Sequence, residues 1–234
     1  MTPLRHFERP LLAALLILAI PAASAHDMWI EVPDLTATAP YPVNLRVGDK
    51  PPGKAVRRNP PRMVRFDVED IDGRRELPGV PGGDPAGFLQ TLLPGVTRLA
   101  YVSRPAYSEL PGAAFEAYLR EEGLEHIVAQ RAAAGATQAP GRELFSRSLK
   151  SLLLQGNDPS GHDQRAGLPL ELTPLDDPFK ATEQPLRLLA EFRGAPLAGL
   201  RIDLRDLHNP RSTRSVRTDN DGIATVRLGP GHWL

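Results

Sequence analysis

Proline and glycine break this chain into short pieces, and that constrains its fold more than any other feature. There are 25 prolines and 20 glycines among 234 residues. Such punctuation favours many turns and short strands over a helical bundle. Between the breaks the apolar residues mostly recur at every second position, the period of a half-buried strand. Residues 41–47 place Tyr41, Val43, Leu45 and Val47 on one face, and residues 63–70 do the same with Val64, Phe66 and Val68. Residues 27–32, 88–93 and 97–103 read as further strands, and Asp72-Gly73 is a hairpin-turn signal. Residues 49–61 and 79–87 read as loops.

The period then changes. Phe115, Tyr118, Leu119, Leu124, Ile127 and Val128 recur by threes and fours within residues 111–134, which predicts two short helices around Gly123. Residues 143–154 fit either period, and a strand returning to the sheet is the preferred reading. A second set of strands is expected at 186–192, 200–204, 215–218 and 223–228, with turns at 194–199 and Asp219-Asn220-Asp221-Gly222. Residues 232–234 begin a strand that ends at once, which implies an unpaired sheet edge. The fold class expected is mainly β. Two β-sandwich modules divide it, residues 26–168 (with the helical insertion near 111–134) and residues 169–234.

The N-terminus carries both an address and a chemical group. Arg5 and Arg9 precede ten unbroken apolar residues, 11–20, then Pro21 and the small-residue pattern Ala23-Ser24-Ala25. This is the layout of a cleaved signal peptide. The run is too short for a membrane span, which needs roughly 20 apolar residues. Residues 1–25 are therefore expected to be removed, giving a periplasmic protein with no membrane span. Its net charge, close to zero, offers nothing to a nucleic acid. Cleavage would make His26 the first residue. Its free α-amine and its imidazole Nδ1 can then grip one transition-metal ion together, a donor set that suits Ni, Co or Cu.

With no cysteine in the chain, metal ligands are limited to His, Asp, Glu, Met and the terminal amine. Candidate metal ligands are His26, its neighbour Asp27, the loop residue His162 in Ser160-Gly161-His162-Asp163, and His232 beside the last Trp. His126 and His208 read as solvated and turn residues. Glu121-Glu122 reads as a solvated pair. No serine-nucleophile elbow, phosphate loop or calcium loop is present, so no enzymatic activity is expected.

The segment Ala25-His26-Asp27-Met28-Trp29-Ile30-Glu31 resembles the start of a widespread family of exported bacterial proteins. Its members are often labelled the periplasmic component of cobalt or nickel ABC-type uptake systems. The likeness continues through Phe115-Glu116-Ala117-Tyr118-Leu119-Arg120-Glu121-Glu122-Gly123-Leu124, Arg142-Glu143-Leu144-Phe145-Ser146-Arg147-Ser148-Leu149, Gly167-Leu168-Pro169-Leu170-Glu171-Leu172, Gly194-Ala195-Pro196-Leu197-Ala198-Gly199 and Thr218-Asp219-Asn220-Asp221-Gly222. The resemblance implies a metal-binding accessory role for uptake, with a membrane metal transporter as partner. The alternative is a non-catalytic β-sandwich interaction module that docks a membrane or surface partner. The second module is similar to carboxypeptidase-regulatory or transthyretin-like sandwiches, and the first to immunoglobulin-like ones. Relatives typically continue past Gly-x-Trp-Leu with a strand bearing another histidine. This sequence stops at Leu234, so His232 is the substitute it offers.

Overall fold

The computed structural model describes residues 27–36, 38–180, 184–207, 209 and 213–234. The signal-peptide reading, His26 and His208 lie outside the described residues. The chain is mainly β, with several antiparallel sheets and two short helices.

Two four-stranded sheets make the first sandwich. One joins β1 (Asp27–Glu31), β2 (Tyr41–Gly48), β3 (Lys54–Val56) and β6 (Gly87–Leu89), with β2 in contact with the other three. The other comprises β4 (Met63–Asp70), β5 (Gly73–Glu76), β7 (Gly95–Ser103) and β10 (Ser148–Gln155), in the order β10-β7-β4-β5. Their inner faces meet in one core. Val43, Leu45 and Leu89 come from the first sheet, and Phe66, Val68, Leu99, Tyr101 and Leu149 from the second. Here the alternation in the sequence does its physical work, because a strand presents every second side chain to the same side. Val64 is the exception. A register shift between Met63 and Arg65 puts it outside, largely exposed. A β-bulge of this kind turns part of a strand over.

The helical insertion is the long loop of a two-stranded ribbon. β8 (Ala106–Leu110) pairs with β9 (Gly141–Phe145), and α1 (Gly112–Glu121) and α2 (Glu125–Ala133) lie between them. Gly123, at φ +71°, permits the sharp break between the helices. α1 buries Phe115, Glu116 and Leu119. Arg131 from α2 pairs with Glu116 at 2.8 Å and stacks over Phe115.

The second sandwich is smaller. β11 (Leu170–Pro174), β12 (Leu186–Phe192), β13 (Ala195–Pro196) and β16 (Ile223–Val226) form one sheet, and β14 (Arg201–Arg205) and β15 (Thr213–Arg217) the other. Leu186, Ala224 and Val226 meet Ile202 and Leu204 in its core.

The two sandwiches are joined at a buried ion pair. Glu171 receives Lys150 Nζ at 2.7 Å and the amides of Ala166, Gly167 and Leu168 at 2.6, 2.9 and 3.0 Å. Ala166 and Leu168 pack beneath it on Ala100 and Val102 of β7.

Several expectations need correction. The loop expected at 49–61 contains β3, and the strand expected at 88–93 shrinks to β6. The strand preferred over 143–154 is two strands, β9 and β10, which belong to different sheets and are separated at Ser146-Arg147. Periodicity runs through this break because a two-residue step preserves the phase of alternation. The terminal segment does not leave β14 bare beyond its end. Leu234 and Arg205 exchange both backbone hydrogen bonds, at 2.7 and 2.8 Å, and Leu207 donates to the His232 carbonyl at 2.8 Å.

Candidate functional site

Four segments separated in sequence converge where the described chain begins. Asp27 opens β1 and lies opposite Gly48 in the register, so Asp49 follows at the same end of the sheet. Glu121 closes α1 and Glu122 caps it. β14 alternates, with Ile202 and Leu204 pointing into the second core, which turns Arg201, Asp203 and Arg205 outward. These seven residues line a cleft of about 140 Å³.

The cleft is rich in charge, and the signs are unequal. Arg205 hydrogen-bonds the Asp27 carboxylate, which joins the second sandwich to the first strand of the first. Arg201 pairs with Asp203 at 3.1 Å and donates to the Glu121 backbone carbonyl at 2.5 Å. A cation at the end of a helix is favoured by the partial negative charge of the last carbonyls. Five carboxylates face two guanidiniums. The excess registers on Glu122. Burial pushes its carboxyl above the usual range, the charges of Asp27, Glu121 and Asp203 add to the effect, and Arg201 opposes it. An arrangement of this kind attracts a cation, since added positive charge relieves repulsion among the carboxylates.

The candidate ligands predicted from sequence fall in two places. Asp27 lines the cleft, and His26 is joined to it by one peptide bond. His232 pairs opposite Leu207 at the extension of β14, and Trp233 bridges to Asp206. Cross-strand partners share a face, so His232 stands on the same outward face as Arg205 while Trp233 packs on the second core. With about 3.3 Å per residue along a strand, His232 is on the order of 8 Å from Arg205 between Cα positions.

His162 sits elsewhere. It belongs to the loop that covers the buried end of β7, where Arg98 donates to the Gly161 carbonyl at 2.8 Å. Its Nδ1 is 2.9 Å from the Pro159 carbonyl, and its Nε2 is buried without a partner among the described residues. Nearby, the Asp176 carboxyl is lowered to about 2, chiefly by hydrogen bonds from Arg187. His126 is exposed on α2. Among the described residues, no group of three or more His, Asp or Glu side chains is close enough to hold a metal ion.

Sequence reasoning missed most of the cleft. Glu121 and Glu122 read as a solvated pair, and Asp49 as a loop residue. Arg201, Asp203 and Arg205 are the polar half of a legible strand, but nothing local indicates what that half faces. Only the docking of β14 against the start of β1 and the end of α1 makes them neighbours.

Comparison with curated proteins and with solved structures found no match. The model of a family described as a domain of unknown function, DUF4198, matches residues 23–234, and the chain belongs to that family.

Proposed function

We propose that the protein is an exported, periplasmic metal-binding accessory protein that hands nickel, cobalt or copper to an uptake system. The mature N-terminal His26 would bind the cargo ion through its α-amine and imidazole. Asp27 would supply an oxygen donor, and His232 would be the second histidine. The observation that carries this reading is the acidic excess of the cleft beside residue 27, with Glu122 driven toward its protonated form. The carboxylates alone do not make a metal shell. Their part is to concentrate cations and to favour the charged complex. We read the second sandwich as the carboxypeptidase-regulatory-like module of the chain. Binding would weaken as pH falls through the histidine range, because both nitrogen donors must lose their protons.

The test is calorimetric titration of Ni and Cu into protein beginning at His26, beside a version with one alanine placed before it. The extra residue moves the α-amine away from the imidazole chelate. Affinity at least about tenfold weaker in the extended protein supports the reading, a loss of about 1.4 kcal/mol. Equal affinity in both refutes it.

A second reading rests on the β8–β9 ribbon. Tyr107 and Leu144 lie directly opposite each other there and are 60% and 76% exposed. This apolar pair on a ribbon outside both sandwiches suits a docking module that needs no metal. A complex with a membrane or surface partner that persists in chelator and is lost in Tyr107→Ser/Leu144→Ser would favour it.

A further inference from the structure

A larger cavity is lined by Met28, the β1 neighbour of Asp27, and its charge is opposite in sign to that of the acidic cleft. It has a volume of about 620 Å³, within the roughly 300–1,000 Å³ typical of small-molecule sites. Its walls come from β1, β2 and β3, the segment 57–62 that follows β3, the turn at Pro81-Gly82, β7, β8 and the β9–β10 junction. Two kinds of residue dominate. Met28, Leu45, Val56, Tyr101 and Phe145 give an apolar floor, and Arg57, Arg58, Arg62, Arg104 and Arg147 contribute five guanidiniums. Among the described residues, no Asp or Glu lines it.

These arginines are not equivalent. Arg58 is buried and fully engaged, with the Ala86 carbonyl at 3.1 Å, Glu76 at 2.9 Å and the Phe66 ring beneath it, so it builds the wall. Arg147 stacks over Phe145 at 4.8 Å, and its charge is felt by the Tyr101 hydroxyl. Arg57, Arg62 and Arg104 are exposed, and their side chains make no ion pair with any described residue. The backbone holds two of them together, since the Arg104 amide donates to the Arg62 carbonyl at 2.8 Å. Three like charges lining one cavity repel one another, and among the described residues no ion pair offsets this. Elsewhere the chain neutralises such guanidiniums, as with Arg46 on Glu31, Arg75 on Asp70 and Arg187 on Asp176. The Tyr101 phenol stays neutral at physiological pH, because burial raises it, and is available as a donor at the floor.

We propose that this cavity binds an amphipathic organic anion: an apolar chain lying on Met28, Val56, Tyr101 and Phe145, with a carboxylate or phosphate head held by Arg57, Arg62 and Arg104. The apolar floor fits a hydrocarbon, and planar guanidiniums match either oxyanion bidentately. Neither half of the site explains the other half. A hydrocarbon pocket needs no three arginines, and a phosphate site needs no apolar floor. This site is separate from the acidic cleft and independent of any metal.

The test is calorimetric titration of the full mature protein in chelator with four probes below their micellar concentrations. Laurate and dodecyl phosphate carry both parts. Dodecanol carries the chain alone, and inorganic phosphate the head alone. Laurate or dodecyl phosphate should bind at least about tenfold more tightly than either half, and which of the two is tighter identifies the head group. Raising the salt should weaken binding. Arg62→Ala/Arg104→Ala should lose about tenfold or more in affinity for the whole probes and little for dodecanol, because each charged hydrogen bond lost is worth about a factor of ten. Both residues are exposed and outside ion pairs, so the fold is preserved. Dodecanol binding as tightly as laurate overturns the proposal in favour of a purely apolar groove. Phosphate binding as tightly as dodecyl phosphate overturns it in favour of a simple anion site. Failure of both amphiphiles to bind overturns it outright.

Discussion

The connection between the sandwiches gives the sharpest test of the structural reasoning. Glu171 is 3% exposed and Lys150 9% exposed in their side chains, and the carboxylate also takes three backbone amides, two of them buried. Glu171→Ala removes the acceptor of four donors, three of them buried, and leaves Lys150 only a long 3.4 Å contact with the Thr173 hydroxyl. An uncompensated buried ammonium costs about 3–5 kcal/mol. Each orphaned buried amide costs about 1–3 kcal/mol. The penalties overlap, since one rearrangement can rehydrate several of these groups, so the total expected is about 5 kcal/mol. For a protein of this size that lowers Tm by about 10–20 °C, at about 2–4 °C per kcal/mol. Lys150→Met is the control. It leaves Glu171 its three amides, so its cost is about 2 kcal/mol, below the value for a fully orphaned charge. Burial by itself would raise the Glu171 carboxyl, but the hydrogen bonds from Lys150, Ala166 and Leu168 outweigh it and hold the group below its usual range. A carboxyl with a lowered folded-state pKa stabilises the protein fully above its unfolded value, near about 4.3. That contribution is lost as pH falls through the folded-state value. The gap between the wild type and Glu171→Ala is therefore widest at pH 7 and closes toward pH 3. The assay is urea or thermal unfolding followed by circular dichroism at several pH values. A Glu171→Ala loss under about 1 kcal/mol at pH 7, or a larger loss for Lys150→Met, refutes the reasoning, because orphaned donors would then not dominate.

Two further predictions concern the site and the helical insertion. Glu122 has a raised carboxyl, so its ionisation in the crowded cleft opposes folding above the ordinary glutamate range. Glu122→Gln should stabilise the protein slightly at pH 7, by less than about 1 kcal/mol, and not at pH 4, where the native group is already largely protonated. An equal effect at both pH values would contradict the repulsion argument. Gly141→Ala places a Cβ 2.0 Å from the Phe115 ring, so α1 must move off β9. The expected loss is about 3 kcal/mol, the upper end for overpacking, read from the urea midpoint, and a neutral variant would mean that α1 is not seated as described.

The sequence was most informative where a structural rule is local. Alternation located β2, β4, β7 and β14, and the shift to threes and fours located both helices, because strand and helix periods are fixed by the backbone. Gly123 between two helical runs was legible for the same reason. It was least informative where a segment's partner decides its state. Residues 54–56 carry no strand signal, yet they pair with β2. Residues 143–154 carry a continuous signal, yet they divide between a ribbon and a sheet. β8 and β9 sit beside the helices in sequence and pair only because α1 and α2 fold back and bring their ends together.

The same division holds for function. The residues 26–27 were singled out from sequence because a terminal histidine is a chelate by covalent structure alone. Asp49, Glu122, Asp203 and Arg205 gain meaning only from convergence, and so do Arg57, Arg62 and Arg104 at the larger cavity. What the chain determined by itself is its mainly β character and its short elements, since proline, glycine and side-chain period act on the nearest few residues. What only the tertiary structure decided is which charges share a space. Electrostatic repulsion and attraction depend on distance through space, and sequence separation sets no such distance once strands from both sandwiches pack together.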